Sequence, residues 1–408
     1  MKKRRDLDHK RFSQMSDERS KIIELISGMQ EIKLHNAERQ KRWGWEFVQI
    51  RLFKLQIKSL RLEQIQSNGA SFLNELKNII ISFFTAKLVI DGSLTLGMML
   101  SVSYIIGQLN APVSQFLGFI FSLQDARISL ERLAEIHNKE DEEPAGENRL
   151  DELPEDQTIT LEDVNFRYVG SDKLVLENIN LTIPANKITA IVGASGSGKT
   201  TLMKLLLRFY DPTEGKIKVG DSELNAFTQH IWRENCGSVM QDGFIFNDTI
   251  AHNIAIGDDR IDKTKLKQAI HVANIREFIE ELPLSYNTKI GAEGMGISGG
   301  QKQRILIARS VYKNPSYLFF DEATSALDAN NETVIMENLN SFFKGRSAVV
   351  IAHRLSTVKN ADQIVVLDKG KIIEQGTHQE LLALKGSYHH LVKNQLELEK
   401  IENVNPIN

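Results

Sequence analysis

Apolar residues recur at helical spacing through the first part of the chain. Ile22, Ile23, Leu25, Ile26, Met29, Ile32 and Leu34 stand among Lys, Arg, Glu and Gln. This pattern predicts a long helical region over residues 1 to about 65. Ser27-Gly28 weakens a helix and predicts one break there, which makes Leu25 to Arg39 a short helix between two long ones. Two apolar segments follow, 70–90 and 94–121, separated by the turn signal Asp91-Gly92-Ser93. Each is close to the roughly 20 residues that cross a bilayer. Neither is uniformly apolar: Asn74, Glu75, Lys77 and Lys87 interrupt the first, and Gln108, Asn110, Pro112 and Gln115 the second. Hydropathy alone leaves two readings open, a pair of membrane helices or a buried soluble hairpin. If the segments span, their polar groups are expected to face a cavity rather than lipid.

Gln124 to His137 continues as an amphipathic helix, and the acidic stretch 138–157, with Pro144, Gly146 and Pro154, predicts an exposed linker. The pattern then changes to short runs of β-favouring residues: Ile159–Val164, Leu174–Leu181, Ile188–Val192, Lys216–Val219, Tyr317–Phe320, Ala348–Ile351 and Gln363–Leu367. Helical stretches between several of them predict a mainly parallel α/β sheet with an antiparallel portion at its start. Beyond Gly386 the chain is expected to be helical and then to fray, with 396–408 a polar tail.

The chemistry centres on Gly193-Ala194-Ser195-Gly196-Ser197-Gly198-Lys199-Thr200, a complete G-x-x-x-x-G-K-[ST] phosphate loop. It follows the apolar run Ile188–Val192. It precedes Thr201–Phe209, read as an amphipathic helix with Leu202, Leu205, Leu206 and Phe209 on one side. Glycines let the backbone aim N–H groups at phosphate oxygens, and the helix N-terminus adds a positive dipole end. Lys199 supplies a mobile charge and Thr200 a hydroxyl for Mg²⁺. The strand Tyr317–Phe320 ends in Asp321-Glu322, two carboxylates at the carboxyl edge of the sheet. Asp321 is suited to hold Mg²⁺ through water, and Glu322 to orient and deprotonate a water for attack on a γ-phosphate. Between these motifs lies Ile297-Ser298-Gly299-Gly300-Gln301, followed by a predicted helix over Lys302–Val311. This is a second helix N-terminus beside Gly-Gly, which one nucleotide at the first loop cannot obviously fill.

Composition narrows the class. The 408 residues, 41% hydrophobic and 25% charged, suffice for two or three domains with a sizeable core. A net charge of −3 and the lack of a basic, aromatic-interleaved patch argue against nucleic acid as a partner. The single cysteine, Cys236, excludes an internal disulfide, fits a reducing setting and reads as a small buried apolar residue. Met1 to Arg5 is basic but lacks the apolar core of a signal peptide.

The phosphate loop, Gln241, Ile297-Ser298-Gly299-Gly300-Gln301, Asp321-Glu322, Ser325-Ala326-Leu327-Asp328 and His353 occur in the order that resembles the nucleotide-binding domain of an ABC transporter. The resemblance covers residues 158–395. It implies ATP and Mg²⁺ as cofactors, with Tyr168 stacking on adenine and Val175 and Thr201 joining the phosphate loop around the nucleotide. It further implies Gln241 at Mg²⁺ and in coupling to the membrane part, His353 at the γ-phosphate, and Asp328 at a dimer interface. The loop Ser298-Gly299-Gly300-Gln301 would act on the ATP of a partner subunit, so that two subunits enclose two nucleotides. Two positions depart from the pattern: Ile297 stands where Leu is usual, and Gly291-Ala292-Glu293 has Glu one place later than exporters commonly do.

Residues 1–137 resemble the last part of an exporter's membrane domain. On that resemblance residues 25–39 would be its second cytoplasmic coupling helix, and 70–90 and 94–121 its fifth and sixth membrane helices. Such subunits carry six membrane helices, so the first four are expected on a preceding part of the chain or on a separate one. The implied fold is an α-helical partial transmembrane domain followed by an α/β P-loop NTPase domain. The implied function is an ATP-hydrolysing subunit, in the cytoplasmic membrane, that exports a substrate. Lys313 to Glu322 resembles, less specifically, bacterial exporters of bacteriocins and other peptides with an N-terminal cysteine peptidase, which makes peptide the expected cargo. Two alternatives remain: a soluble ABC-type ATPase of DNA repair or translation, and a scaffold that binds ATP without turnover. Intact Lys199, Glu322 and His353 weigh against the second.

Overall fold

The computed structural model describes residues 2–139, 141–143, 149–291, 294–324, 326–352 and 358–393. The chain divides into two units, Met1–Glu140 and Asp141–Asn408, a boundary that falls at the start of the expected linker.

The first unit is helical: α1 (Lys2–Ser27), α2 (Met29–Leu34), α3 (Glu38–Ile90) and α4 (Leu96–His137). The break at Gly28 occurs where expected, but there is a second one. Asn36 takes φ +49°, and the amides of Asn36 and Ala37 turn back to the carbonyls of Lys33 and Ile32. Asparagine tolerates this left-handed conformation, so it ends α2 as a glycine would. The short helix is accordingly six residues, Met29–Leu34, rather than 25–39. The expected segment 70–90 is the end of a continuous 53-residue helix. Residues 94–121 and 124–137 join in one 42-residue helix that contains Pro112 and is capped by Thr95. Among the described residues, one helix, Leu96–His137, is long and apolar enough to cross a membrane. Lys77 donates to Asn74 Oδ1 and to Asn110 Oδ1, each at 2.8 Å. A charge in an apolar segment thus turns to a polar partner on the neighbouring helix.

The second unit begins with β1 (Ile159–Phe166), β2 (Leu176–Ile183), β3 (Ile188–Val192), α5 (Lys199–Leu206), β4 (Glu214–Val219), β5 (Ser222–Glu223) and α6 (Gln229–Glu234). It continues through β6 (Cys236–Val239), β7 (Asp248–Thr249), α7 (Ile250–Ile254), α8 (Lys263–Val272), α9 (Arg276–Glu281), β8 (Lys289–Ile290) and α10 (Gly299–Tyr312). It closes with β9 (Tyr317–Asp321), α11 (Ala329–Phe343), β10 (Ser347–Ile351), β11 (Gln363–Asp368), β12 (Lys371–Gly376) and α12 (His378–Leu384). An antiparallel sheet has the order β2-β1-β4-β5, and a larger sheet the order β12-β11-β3-β10-β9-β6, in which β12 alone is antiparallel. The expected antiparallel start and parallel body are both present. The strands β5, β6, β7, β8 and β12 lie outside the predicted runs; in the larger sheet Cys236-Gly237-Ser238-Val239 has little β-favouring character, and Lys371–Gly376 alternates with half-buried positions.

The parallel strands are buried on both faces. Ala190, Leu318, Phe320, Val350 and Val366 join the core under α7, α8, α10 and α11. Their neighbours Ile191, Phe319, Val349 and Val365 join a second core with α5, Trp232 and the antiparallel sheet. Helix α5 lies in that second core and is shorter than expected. Arg208, at φ +56°, stops it, and the amides of Arg208 and Phe209 return to the carbonyls of Leu205 and Lys204. Phe209 therefore does not extend the apolar face; it is 55% exposed.

The expected linker is partly docked. Arg233 of α6 makes a two-pronged pair with Glu142 at 3.0 and 2.6 Å, Glu143 accepts from the Gln229 amide, and Leu150 exchanges backbone bonds with Ala226 and Thr228. Residues 144–148 and the tail 396–408 lie outside the described residues.

Candidate active site

The phosphate loop leaves the carboxyl end of β3 and enters α5, the arrangement its spacing requires. Gly193, Gly196 and Gly198 have φ of +153°, +76° and +105°. A Cβ on Gly193 would stand 2.0 Å from Leu367 O. One on Gly198 would stand 2.8 Å from Leu176 Cδ2 and 3.2 Å from Val175 O. Two glycines are thus demanded by close backbone approach as well as by conformation, and Val175 forms a wall of the loop. Ala194, Ser195 and Gly196 are exposed, while Ser197, Lys199 and Thr201 are buried and Thr200 is half-buried.

Lys199 Nζ donates to the carbonyls of Gly193 and Ala194, both at 2.9 Å. Its ammonium therefore lies over the loop that its own helix begins. Burial pushes its pKa below the ordinary lysine range, and the carboxylates of Glu322 and Asp321 pull it part of the way back. The two charges predicted for the site thus face the lysine of the phosphate loop.

Asp321 ends β9 and is fully buried. Glu322 takes φ +50°, a conformation that costs a side-chain-bearing residue about 1–3 kcal/mol and persists only when its surroundings hold it. Those surroundings are visible: the Glu322 amide donates to Ile351 O at 3.3 Å, and its carbonyl accepts from Gln303 Nε2 at 3.1 Å. Strand β10 lies between β3 and β9, so its end at Ile351 is between the phosphate loop and the carboxylate pair. His353, two residues on, lies outside the described residues, as do Ser325 and the Ala292-Glu293 pair. Gln241 is exposed just beyond Val239, whose register partner on β9 is Phe320. It leaves the same sheet edge as Asp321 and Glu322. Thr200, Asp321 and Gln241 offer only oxygen donors, a set that fits Mg²⁺ when substrate phosphates and water complete the coordination.

Tyr168 packs edge-on against Phe166 and Tyr210, with ring centroids 5.0 and 5.4 Å away, and its hydroxyl pairs with Thr201 Oγ1 at 3.1 Å. The tyrosine is thereby tied to the phosphate-loop helix. Tyr210, which completes this aromatic cluster, carried no motif.

Ser298 caps α10. Its Oγ accepts from the Gln301 amide at 3.2 Å, and Gln301 Oε1 accepts from the Ser298 amide at 2.8 Å, a reciprocal capping box. Ser298, Gly299 and Gln301 are accordingly brought together, and Gly300 is close to Ala326: a Cβ there would lie 3.1 Å from Ala326 O. Ser298 and Gly299 are exposed. Ile297, at the departure from Leu, is partly buried against the core. Asp328 caps α11 by accepting from the Asn331 amide at 3.3 Å. Its carboxyl is held below the usual range by Asn331 and then by the charge of Arg304.

Residues missed by motif reading hold these parts in place. Gln303 bridges Glu322 and Ala326. Buried Asn253, with Arg309, fixes the segment after Gln241 through Phe244 O, Phe246 N and O, and Thr249 O. Neither Asn253 nor Arg309 lies in a motif, and only the tertiary fold reveals them.

A glycine-cradled lysine, two carboxylates at the end of β9 and a capped Ser-Gly-Gly-Gln turn define an ATP-binding domain of the ABC class. Residues 176–325 match the model described as ABC transporter, and residues 1–113 match that of the ABC transporter transmembrane region. The chain is 39% identical over 395 residues to the toxin RTX-I translocation ATP-binding protein of Actinobacillus pleuropneumoniae, covering 97% of this chain and 55% of that protein. It is 39% identical over 380 residues to the alpha-hemolysin translocation ATP-binding protein of Escherichia coli, covering 93% and 53%. The solved structure of a bacterial Atm1-family ABC exporter with ATP bound superposes with a TM-score of 0.89 at 31% identity, over 97% of this chain and 69% of that one. The chain belongs to the ABC transporter family, among its exporters, and it spans about half the length of the curated relatives it matches.

Proposed function

We propose that the chain hydrolyses ATP to drive export of a polypeptide across the cytoplasmic membrane as part of a paired, multi-pass assembly. The observation that carries this reading is Lys199, folded over Gly193 and Ala194 with the carboxylates of Glu322 and Asp321 facing it. In this reading the phosphate loop holds the ATP phosphates, Lys199 meets the β- and γ-phosphates, and Tyr168 stacks on adenine. Glu322 accepts the proton of the attacking water, and His353 steadies the γ-phosphate. Thr200, Gln241 and Asp321 would hold Mg²⁺, which would supply positive charge to offset that of the phosphates. Ser298, Gly299, Gly300 and Gln301 act on the nucleotide of a second subunit, most simply another copy of this chain, with Asp328 at the interface. Support for a polypeptide cargo comes from the relatives named for translocation of RTX-I toxin and alpha-hemolysin. This widens the bacteriocin-like peptide expected from sequence to proteins.

The test is a chimera in which this chain replaces the matching part of the alpha-hemolysin translocation protein, read by ATP-dependent secretion of alpha-hemolysin and by phosphate release from membranes. Secretion lost on Glu322→Gln supports the reading. Secretion unchanged by that substitution overturns it.

A further inference from the structure

Gln303 belongs to no motif of the nucleotide site, yet it touches two of its parts. It lies on α10, two residues beyond the Ser298–Gln301 capping box and a little over one helical turn after Ser298. Its Nε2 donates to Glu322 O at 3.1 Å, and its Oε1 accepts from the Ala326 amide at 3.0 Å. A carboxamide of this length can satisfy a carbonyl and an amide four residues apart at once; a carboxylate offers only acceptors and an alkyl group neither. The carbonyl it holds belongs to a residue at φ +50°, so the direction of the Glu322 side chain depends on how that peptide is fixed. The same helix begins with the Ser-Gly-Gly-Gln turn, and Gly300 sits close to Ala326 O. The turn is therefore connected to Glu322 by one short helix segment and one side chain.

We propose that Gln303 is a positioning residue that makes the geometry of Glu322 conditional on the seating of its own Ser298–Gln301 turn. The inference rests on the shared-site reading above. There the turn serves the partner's nucleotide and Glu322 serves the chain's own, so Gln303 links the two composite sites. A turn seated on the partner's γ-phosphate fixes α10, the Gln303 amide fixes the Glu322 peptide, and the carboxylate meets its water only then.

The experiment uses the full chain in lipid nanodiscs, with binding of fluorescent ATP, phosphate release and its Hill coefficient in ATP as readouts. Gln303→Leu is expected to bind ATP within twofold of the parent, to lose at least tenfold in kcat and to bring the Hill coefficient to one. Gln303→Glu keeps the shape and guards against misfolding. Its ionised carboxylate faces the Glu322 carbonyl, but once protonated it regains a donor. Its kcat relative to the parent should therefore rise as the pH falls from 8 towards 5.5, which a packing role would not produce. Parent-like kcat and cooperativity in Gln303→Leu, or a flat pH ratio in Gln303→Glu, overturns the inference while an inactive Glu322→Gln leaves the ATPase reading standing. A Glu322→Gln variant that turns over like the parent overturns both.

Discussion

The second unit contains two glycine-rich turns that each open a helix, and they are built differently. At Gly193–Thr200 the backbone is forced into left-handed conformations, a lysine lies buried across it, and a single added methyl would collide with Leu367 O. At Ser298–Gln301 the helix end is satisfied by its own side chains, the turn is largely exposed, and the room around its glycines is greater. The first turn is a finished receptor within one chain. The second is capped by its own side chains but left open at Ser298 and Gly299. A fold can thus present two glycine-rich helix starts, one closed over by its own chain and one left open.

The comparison can be broken most sharply at the chemistry of the first turn. Glu322→Gln retains shape but cannot accept a proton, so phosphate release should fall by about 10²–10⁴ while ATP binding persists. Turnover within tenfold of the parent would remove Glu322 from the role of base. The second turn is tested by mixed dimers. Ser298→Arg in one subunit and Lys199→Ala in the other leave one composite site with both its turns; placed together in one subunit they damage both sites. The first arrangement should retain substantial activity and the second almost none, and equal activities would exclude sharing.

Alanine substitutions sharpen the contrast. Gly193→Ala meets both a backbone collision and strain and should cost about 2–4 kcal/mol of stability. Gly300→Ala, whose Cβ would sit 3.1 Å from Ala326 O, should lower turnover more than it lowers the melting temperature. Similar melting temperatures for the two would show that the turns are equally constrained.

The smallest effect concerns Lys199. Its folded pKa lies below the unfolded value of 10.5, so between these two values the unfolded chain holds the proton and the folded one does not. Stability contributed by this group rises with pH across that window. The melting-temperature difference between the parent and Lys199→Met should change by a few degrees on passing from neutral to alkaline pH, in favour of the parent. A pH-independent difference would mean that the lysine is not desolvated.

What could be read from sequence follows this same divide. The phosphate loop and Asp321-Glu322 announce themselves because phosphate chemistry dictates residue types at fixed spacing. The strands Ile188–Val192 and Tyr317–Asp321 announce themselves because both faces are buried and nearly every residue is apolar or β-branched, Asp321 at the end of the second excepted. Cys236–Val239 escaped because a sheet edge tolerates glycine and serine. The second helix break escaped because Asn36, unlike glycine, signals a left-handed turn only weakly. Gln303, Asn253 and Arg309 are illegible for a different reason: their partners are mainly backbone atoms, distant in sequence for Gln303 and Arg309 and four to seven residues away for Asn253, and a backbone atom leaves no mark on composition. The docking of Glu142 on Arg233 was hidden in the same way within an acidic stretch that looked solvated.

Cys236 is the chain's one cysteine; it is 6% exposed, and burial drives its thiol well above the range in which thiolates form. The protein is therefore close to a blank for thiol-directed reporters. A spin label or fluorophore attached to a cysteine introduced near Ser298 would report from that place alone, without removal of the native residue. Distances between such labels on two copies, read with and without ATP, would trace the approach of the open turn to its partner as a ruler reading rather than as an inference from turnover.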